Sequence, residues 1–174
     1  MKTLEIIVFG GGCFWCTEAL FVRLRGVRAV TPGYAGGNIP NPTYEMVCSQ
    51  NTGHVEVIQV EFDPNVLPLE KLLEVFWQTH DPTTPNRQGN DVGSQYRSVI
   101  LATTDAQKMI AETAKKRLEQ SGAFSSPIVT EIQPLTAFFP AEKYHQNYFE
   151  NNTNQPYCQL VIAPKLKKFL KKYS

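Results

Sequence analysis

LEIIVFGGGCFWCTEALFVRLRG, residues 4–26, carries three signals in immediate succession. An apolar run rich in β-branched residues ends in three glycines, the pattern of a buried strand entering a tight turn. Phe14, Ala19 or Leu20, and Leu24 then recur at helical intervals as far as Gly26, a C-terminal cap residue. Strand, turn and helix follow one another without a break, and Cys13 falls at the turn.

Working outward, GYAGGNIPNPTY (33–44) reads as a loop in which glycines let backbone approach a ligand. HVEVIQVEFD (54–63) alternates, with Ile58, Val60 and Phe62 on one face and Gln59, Glu61 and Asp63 on the other. The same parity puts Glu56 and His54 on the apolar side. Three- and four-residue steps through Leu69, Leu72, Leu73, Phe76, Trp77 and His80 predict an amphipathic helix over 69–80, with Trp77 in the core. A polar, glycine-containing loop over 81–95 is long enough to suggest function, and a strand over 96–102 follows. Thr104 and Gln107 form a capping-box signature for a helix to about Gln120. A strand over 128–132 and helices over 141–151 and 163–173 complete the chain.

Strands and helices mix here without strict β-α-β alternation. The expected fold is α/β (α+β), a single-domain two-layer sandwich over 1–174 with a mixed sheet flanked by helices. A flexible C-terminal segment from about 151 is expected to carry Cys158.

A chain of 174 residues, 42% of them hydrophobic, suffices for one core without disulfide staples. The formal charge is +1, yet residues 165–174 hold five lysines and no acid; the remainder has 12 basic against 16 acidic residues, or −4. Such a balance argues against a nucleic-acid binder. The opening lacks the apolar core of a signal peptide, and no stretch approaches a membrane span. The expectation is a cytoplasmic monomer, with no membrane or nucleic-acid partner.

A helix N-terminus favours a thiolate through its unpaired amides and partial positive charge, so Cys13 is expected to react and Cys16, one turn on, to be less favoured as an anion. CFWC alone supports a thioredoxin-like pair, half a zinc site, or a catalytic cysteine with an incidental neighbour. Cys48 and Cys158 stand far apart and supply no second metal pair. Cys48 reads as a small buried hydrophobe, and His54 as a structural residue.

GCFWC, TPGYAGG, NPTYEMVCSQNTGHVEVIQVEFDP, FWQTHDPTTPNRQGNDVGSQYRS and YHQNYFENN, in this order, resemble the peptide methionine sulfoxide reductase A family along nearly the whole chain. The resemblance implies that Cys13 attacks the sulfoxide sulfur and is left as a sulfenic acid, the first and reversible step of cysteine oxidation. It implies that Glu56 is the acid, that Tyr34 and Tyr96 hydrogen-bond the sulfoxide oxygen with Asp91 nearby, and that Phe14 and Trp15 hold the S-methyl group. No metal or other cofactor is implied. Recycling is expected through a disulfide, with Cys158 resolving first and Cys16 as a backup or relay, and with thioredoxin or another dithiol as reductant. The implied substrates are oxidised peptides and proteins and free methionine S-sulfoxide.

Overall fold

The computed structural model describes residues 3–173. Strand β1 (Glu5–Gly10) turns directly into helix α1 (Phe14–Phe21). Then come β2 (Val27–Ala35), α2 (Tyr44–Cys48), β3 (Val55–Phe62) and α3 (Leu69–Gln78). A small hairpin, β4 (Arg87–Gln88) and β5 (Asp91–Val92), and a 3-10 turn (Ser94–Tyr96) lead to β6 (Val99–Ala102) and α4 (Asp105–Gln120). The chain ends through β7 (Glu131–Pro134), β8 (Phe138–Pro140), a 3-10 turn (Lys143–His145), α5 (Tyr148–Asn151), a π-helical turn (Cys158–Ile162) and α6 (Ala163–Tyr173).

Six strands form one sheet in the order β7-β6-β1-β3-β2-β8. All neighbours are antiparallel except the parallel β6–β7 pair, so the sheet is mixed, as the irregular alternation of elements implied. β1 directs Ile7 and Phe9 into the main core, where β3 contributes Ile58, Val60 and Phe62 and α3 contributes Leu72, Leu73 and Phe76. Phe9 stacks on Phe76 with ring centroids 4.6 Å apart. The intervening positions Val8, Val55 and Val57 pack with Val99 and Leu101 on the opposite face. Period-two alternation thus survives, but both faces are apolar at the centre of the sheet. Each fully buried aliphatic or aromatic side chain there contributes on the order of 1.5–3 kcal/mol.

The strand expected over 128–132 lies at Glu131–Pro134 and the one expected over 96–102 begins at Val99, and two further segments depart more deeply from the sequence pattern. Residues 27–35 form a central strand, although Pro32 and Gly33 lie within it and alternation is weak. Gly33 is required by packing: a Cβ there would meet the Phe138 ring at 2.4 Å. Residues 141–151 are not one helix. Gln146 is extended there, its amide nitrogen donating to the carbonyls of Pro32 and Ala141, each at 3.1 Å. Asn147 is left-handed with its N–H given to the buried Glu18 carboxylate. These side-chain contacts override the local periodicity and strap the segment across β2 and α1.

Candidate active site

Cys13 occupies the N-cap of α1, its carbonyl accepting from the N–H groups of Cys16 and Thr17. The glycines before it have separate reasons to be there. At Gly10 a Cβ would come within 2.7 Å of Val99. At Gly12 the backbone has φ +93° and a Cβ would meet the Gln88 side chain at 2.7 Å. The turn is therefore tight on all sides and presents Cys13 on fixed backbone.

Facing it, Glu56 on β3 is 1% exposed and accepts the Phe14 N–H at 3.2 Å. Burial raises the Glu56 carboxyl to about 8, the Phe14 bond opposing this only in part. At neutral pH the group therefore keeps its proton.

The two thiols behave differently from the sequence expectation. Burial pushes Cys13 well above its ordinary value, and the hydrogen bond with Cys16 and the Glu56 carboxyl push the same way. Cys16 is lowered to about 7, first by that same hydrogen bond, then, against its burial, by the Lys165 ammonium and the Tyr157 hydroxyl. Helix-end polarity is thus outweighed at Cys13 by loss of solvent and an acidic neighbour.

Four tyrosines approach this centre, and their hydroxyls have different partners. Tyr34 is fully buried and donates to Glu142 Oε1 at 2.8 Å, while Glu142 Oε2 accepts the Tyr44 N–H at 2.8 Å. The Tyr34 hydroxyl is therefore committed to a structural bond. Tyr44 and Tyr96 are half-buried, and both phenols are raised by burial and then by the Glu56 carboxyl. Tyr44, placed by the Thr43 N-cap of α2, was not singled out from sequence; the NPTY stretch in which it lies could have pointed to it. Tyr157 donates to Asp91 Oδ2 at 2.9 Å and stands 3.7 Å from Cys16 Sγ.

Phe14 is wholly buried, with its ring centroid 5.7 Å from Tyr34 and 5.0 Å from His145. Trp15 is half-buried and fixed in plane: Nε1–H donates to His145 Nδ1 at 3.0 Å, and one face stacks on Tyr148 at 3.7 Å with an interplanar angle of 8°. His145 and Tyr148 come from the strap segment, whose role the sequence pattern did not reveal. Because Nδ1 accepts from the indole, the neutral His145 carries its proton on Nε2.

Cys13, Cys16 and Cys158 share one buried cluster with Ala19 and Ile162. Cys158 is fully buried at the start of the π-helical turn. All four cysteines are free thiols. Cys48 is half-buried and hydrogen-bonded to Tyr44, more polar in its surroundings than a plain apolar filler. His54 accepts the Gly37 N–H and donates to the Ile39 carbonyl, which accounts for both ring nitrogens. Among the described residues no group of three or more His, Cys, Asp and Glu side chains could hold a metal ion. None of the described helices is long and apolar enough to cross a membrane.

Comparison with known proteins places these features in a family. The sequence profile described as Peptide methionine sulfoxide reductase matches residues 5–174. A protein of Sulfolobus acidocaldarius named Peptide methionine sulfoxide reductase MsrA is 55% identical over 170 residues, covering 98% of this chain and 96% of its own. The reduced form of Mxr1 from Saccharomyces cerevisiae superposes with a TM-score of 0.82 at 34% identity, covering 89% of each chain. Mxr1 in complex with Trx2 superposes with a TM-score of 0.59 at 26% identity, covering 83% of this chain and 84% of that one.

Proposed function

The chain belongs to the peptide methionine sulfoxide reductase family, and from that premise we propose that it transfers oxygen from methionine S-sulfoxide, free or within peptides and proteins, to Cys13. It is an oxidoreductase of that family. The observation that carries the mechanistic reading is the buried Glu56 carboxyl, bonded to the Phe14 N–H beside Cys13 and raised by its burial to about 8.

Sulfoxide oxygen leaves poorly unless it gains a proton, and a carboxylic acid that stays neutral near pH 7 can supply one. Tyr44 and Tyr96, whose phenols stay neutral and border Glu56, donate hydrogen bonds to the same oxygen as charge grows on it. Tyr44 takes the part that the family resemblance gave to Tyr34, whose hydroxyl is held by Glu142. Phe14 backs the pocket and the fixed indole of Trp15 forms the wall for the S-methyl group, with Asp91 and Tyr157 closing the far side.

Cys13 reacts as a thiolate, and its proton passes to its hydrogen-bonded neighbour Cys16 as the Cys13 sulfur attacks. The net change is oxygen moved to the Cys13 sulfur and methionine released. A second cysteine thiolate then attacks the sulfenic sulfur, expelling hydroxide that leaves as water, and a disulfide forms. Cys158 is the resolving cysteine, reached by loosening the π-helical turn, and Cys16 serves as proton acceptor and reserve. A thioredoxin returns the disulfide to two thiols; the complex of yeast Mxr1 with Trx2 supports this reading.

Single-turnover reaction of Glu56→Gln with the S-sulfoxide of N-acetylmethionine tests the acid. The expected result is product formation slowed by about 10²–10⁴ with substrate affinity nearly unchanged. Product at the wild-type rate would remove Glu56 from the mechanism.

A further inference from the structure

We propose that the lysine-bearing surface of α6 is the docking site for an acidic protein dithiol that reduces the disulfide; this rests on the thiol-recycled reductase reading above. Lys165, Lys167, Lys168, Lys171 and Lys172 all lie on this one helix and are exposed. Among the described residues none of the five forms an ion pair with a carboxylate. The rest of the chain carries −4. A cationic helix whose charges are not neutralised by carboxylates, on an otherwise acidic protein, attracts a negatively charged partner and orients it, an effect felt mainly in the association rate.

Position matters as much as charge. α6 continues without interruption from the π-helical turn that begins at Cys158. Leu160, two residues past the cysteine, is 77% exposed. An apolar contact next to the redox sulfur and cations beyond it resemble the centre and rim of a protein interface. On the flank of α6 a cleft of about 620 Å³ is lined by Lys165, Lys168 and Lys172 opposite Thr83, Ser125 and Ser126. Its one acid, Asp81, already accepts from the Thr83 N–H and hydroxyl. The three ammonium groups and the Ser125 and Ser126 hydroxyls are hydrogen-bond donors suited to carboxylates on a partner's surface, and Leu20, Phe124 and Phe169 give the cleft an apolar floor. The cleft also takes in Leu20 of α1, the helix that carries Cys16, which places it next to the thiol cluster.

The redox step balances without another reactant. A partner thiolate attacks the disulfide, forming a mixed disulfide and releasing one enzyme thiolate. The partner's second thiol displaces the other, so two partner thiols are oxidised and two enzyme thiols restored.

The test uses the full chain carrying Lys168→Glu and Lys172→Glu together, with Lys116→Glu on α4 as a remote control. Reduction of N-acetylmethionine sulfoxide is followed with a reduced thioredoxin of net negative charge and, separately, with dithiothreitol. Docking at α6 predicts a fall of about tenfold in kcat/KM for thioredoxin at low salt, with the wild-type salt dependence flattened. The dithiothreitol rate and the control stay within about twofold of wild type, the range expected of a remote surface change. An unchanged thioredoxin kcat/KM, or an equal loss with both reductants, would overturn the proposal. So would a raised KM for an acidic sulfoxide peptide under dithiothreitol, which would make the surface a substrate site. Absence of reduction by wild type with either donor would instead overturn the reductase reading itself.

Discussion

Cys13 and Glu56 stand on regular backbone, whereas Tyr148, Tyr157 and Cys158 come from segments that are hardly regular at all. Cys13 starts α1 at the end of the central strand β1, and Glu56 lies in β3, paired on both sides by β1 and β2. Tyr148 follows a left-handed Asn147 and begins a four-residue helix, while Cys158 opens a π-helical turn. The difference matches two demands. Oxygen transfer needs groups fixed in position, because misplacement weakens transition-state contacts. Disulfide formation needs a sulfur that can move, because its geometry is narrow.

The sharpest way to break this contrast is Cys13→Ser, which is expected to abolish single-turnover methionine formation while leaving the fold intact by circular dichroism. Residual turnover would assign the attacking sulfur to Cys16. Next in size is the pH response of Glu56. With the carboxyl at about 8, the single-turnover rate should fall as pH rises through that value, because the proton donor is lost. A rate that rises through the same window would mean that thiol ionisation limits the step.

Stability carries the same sign. The folded carboxyl holds its proton between the ordinary value of 4.5 and about 8, where the unfolded chain has lost it. The Glu56 contribution is thus fully present below 4.5 and declines as pH rises to about 8. Above pH 8 Glu56→Gln should melt higher than wild type by a few degrees, on the order expected for about 1 kcal/mol in a chain of this size. Equal melting temperatures at pH 5 and pH 9 would contradict burial as the cause.

At the π-helical turn, Cys158→Ser should preserve the first turnover and lower steady-state turnover with thioredoxin by about tenfold, because Cys16 is held by its helix hydrogen bond to the Cys13 carbonyl and meets the narrow disulfide geometry less readily. Unimpaired steady-state turnover would give that part to Cys16. The smallest effect separates the tyrosines. Tyr34→Phe leaves the Glu142 carboxylate short of a donor and should cost about 1–3 kcal/mol of stability with kcat kept. Tyr44→Phe should do the reverse, lowering kcat with little change in stability. An exchange of these outcomes would restore Tyr34 to the oxygen site.

The fixed side of the molecule was the legible one. Three glycines before Cys13 and the parity of Glu56 on its strand follow from local rules, and both appear in the fold. Residues 27–35 hid a strand because Pro32 and Gly33 resemble punctuation, and only the flanking β3 and β8 make the extended form favourable. The strap over 141–151 hid for a related reason. Its shape comes from Glu18, Pro32 and Ala141, contacts distant in sequence that no periodicity can report. Consequently His145 and Tyr148, which hold the Trp15 ring, were invisible. At Cys13 the sequence shows the helix end, whereas burial and the nearby Glu56 carboxyl, which push the thiol the other way, come from the tertiary structure.

The most direct measurement is a single turnover of fully reduced protein, without external reductant, against each separated sulfoxide epimer of N-acetylmethionine, with disulfides mapped by mass spectrometry. The account predicts one methionine from the S epimer, two thiols lost, and Cys13 joined to Cys158. No methionine from either epimer, or product formed without any bond to Cys13, would contradict it.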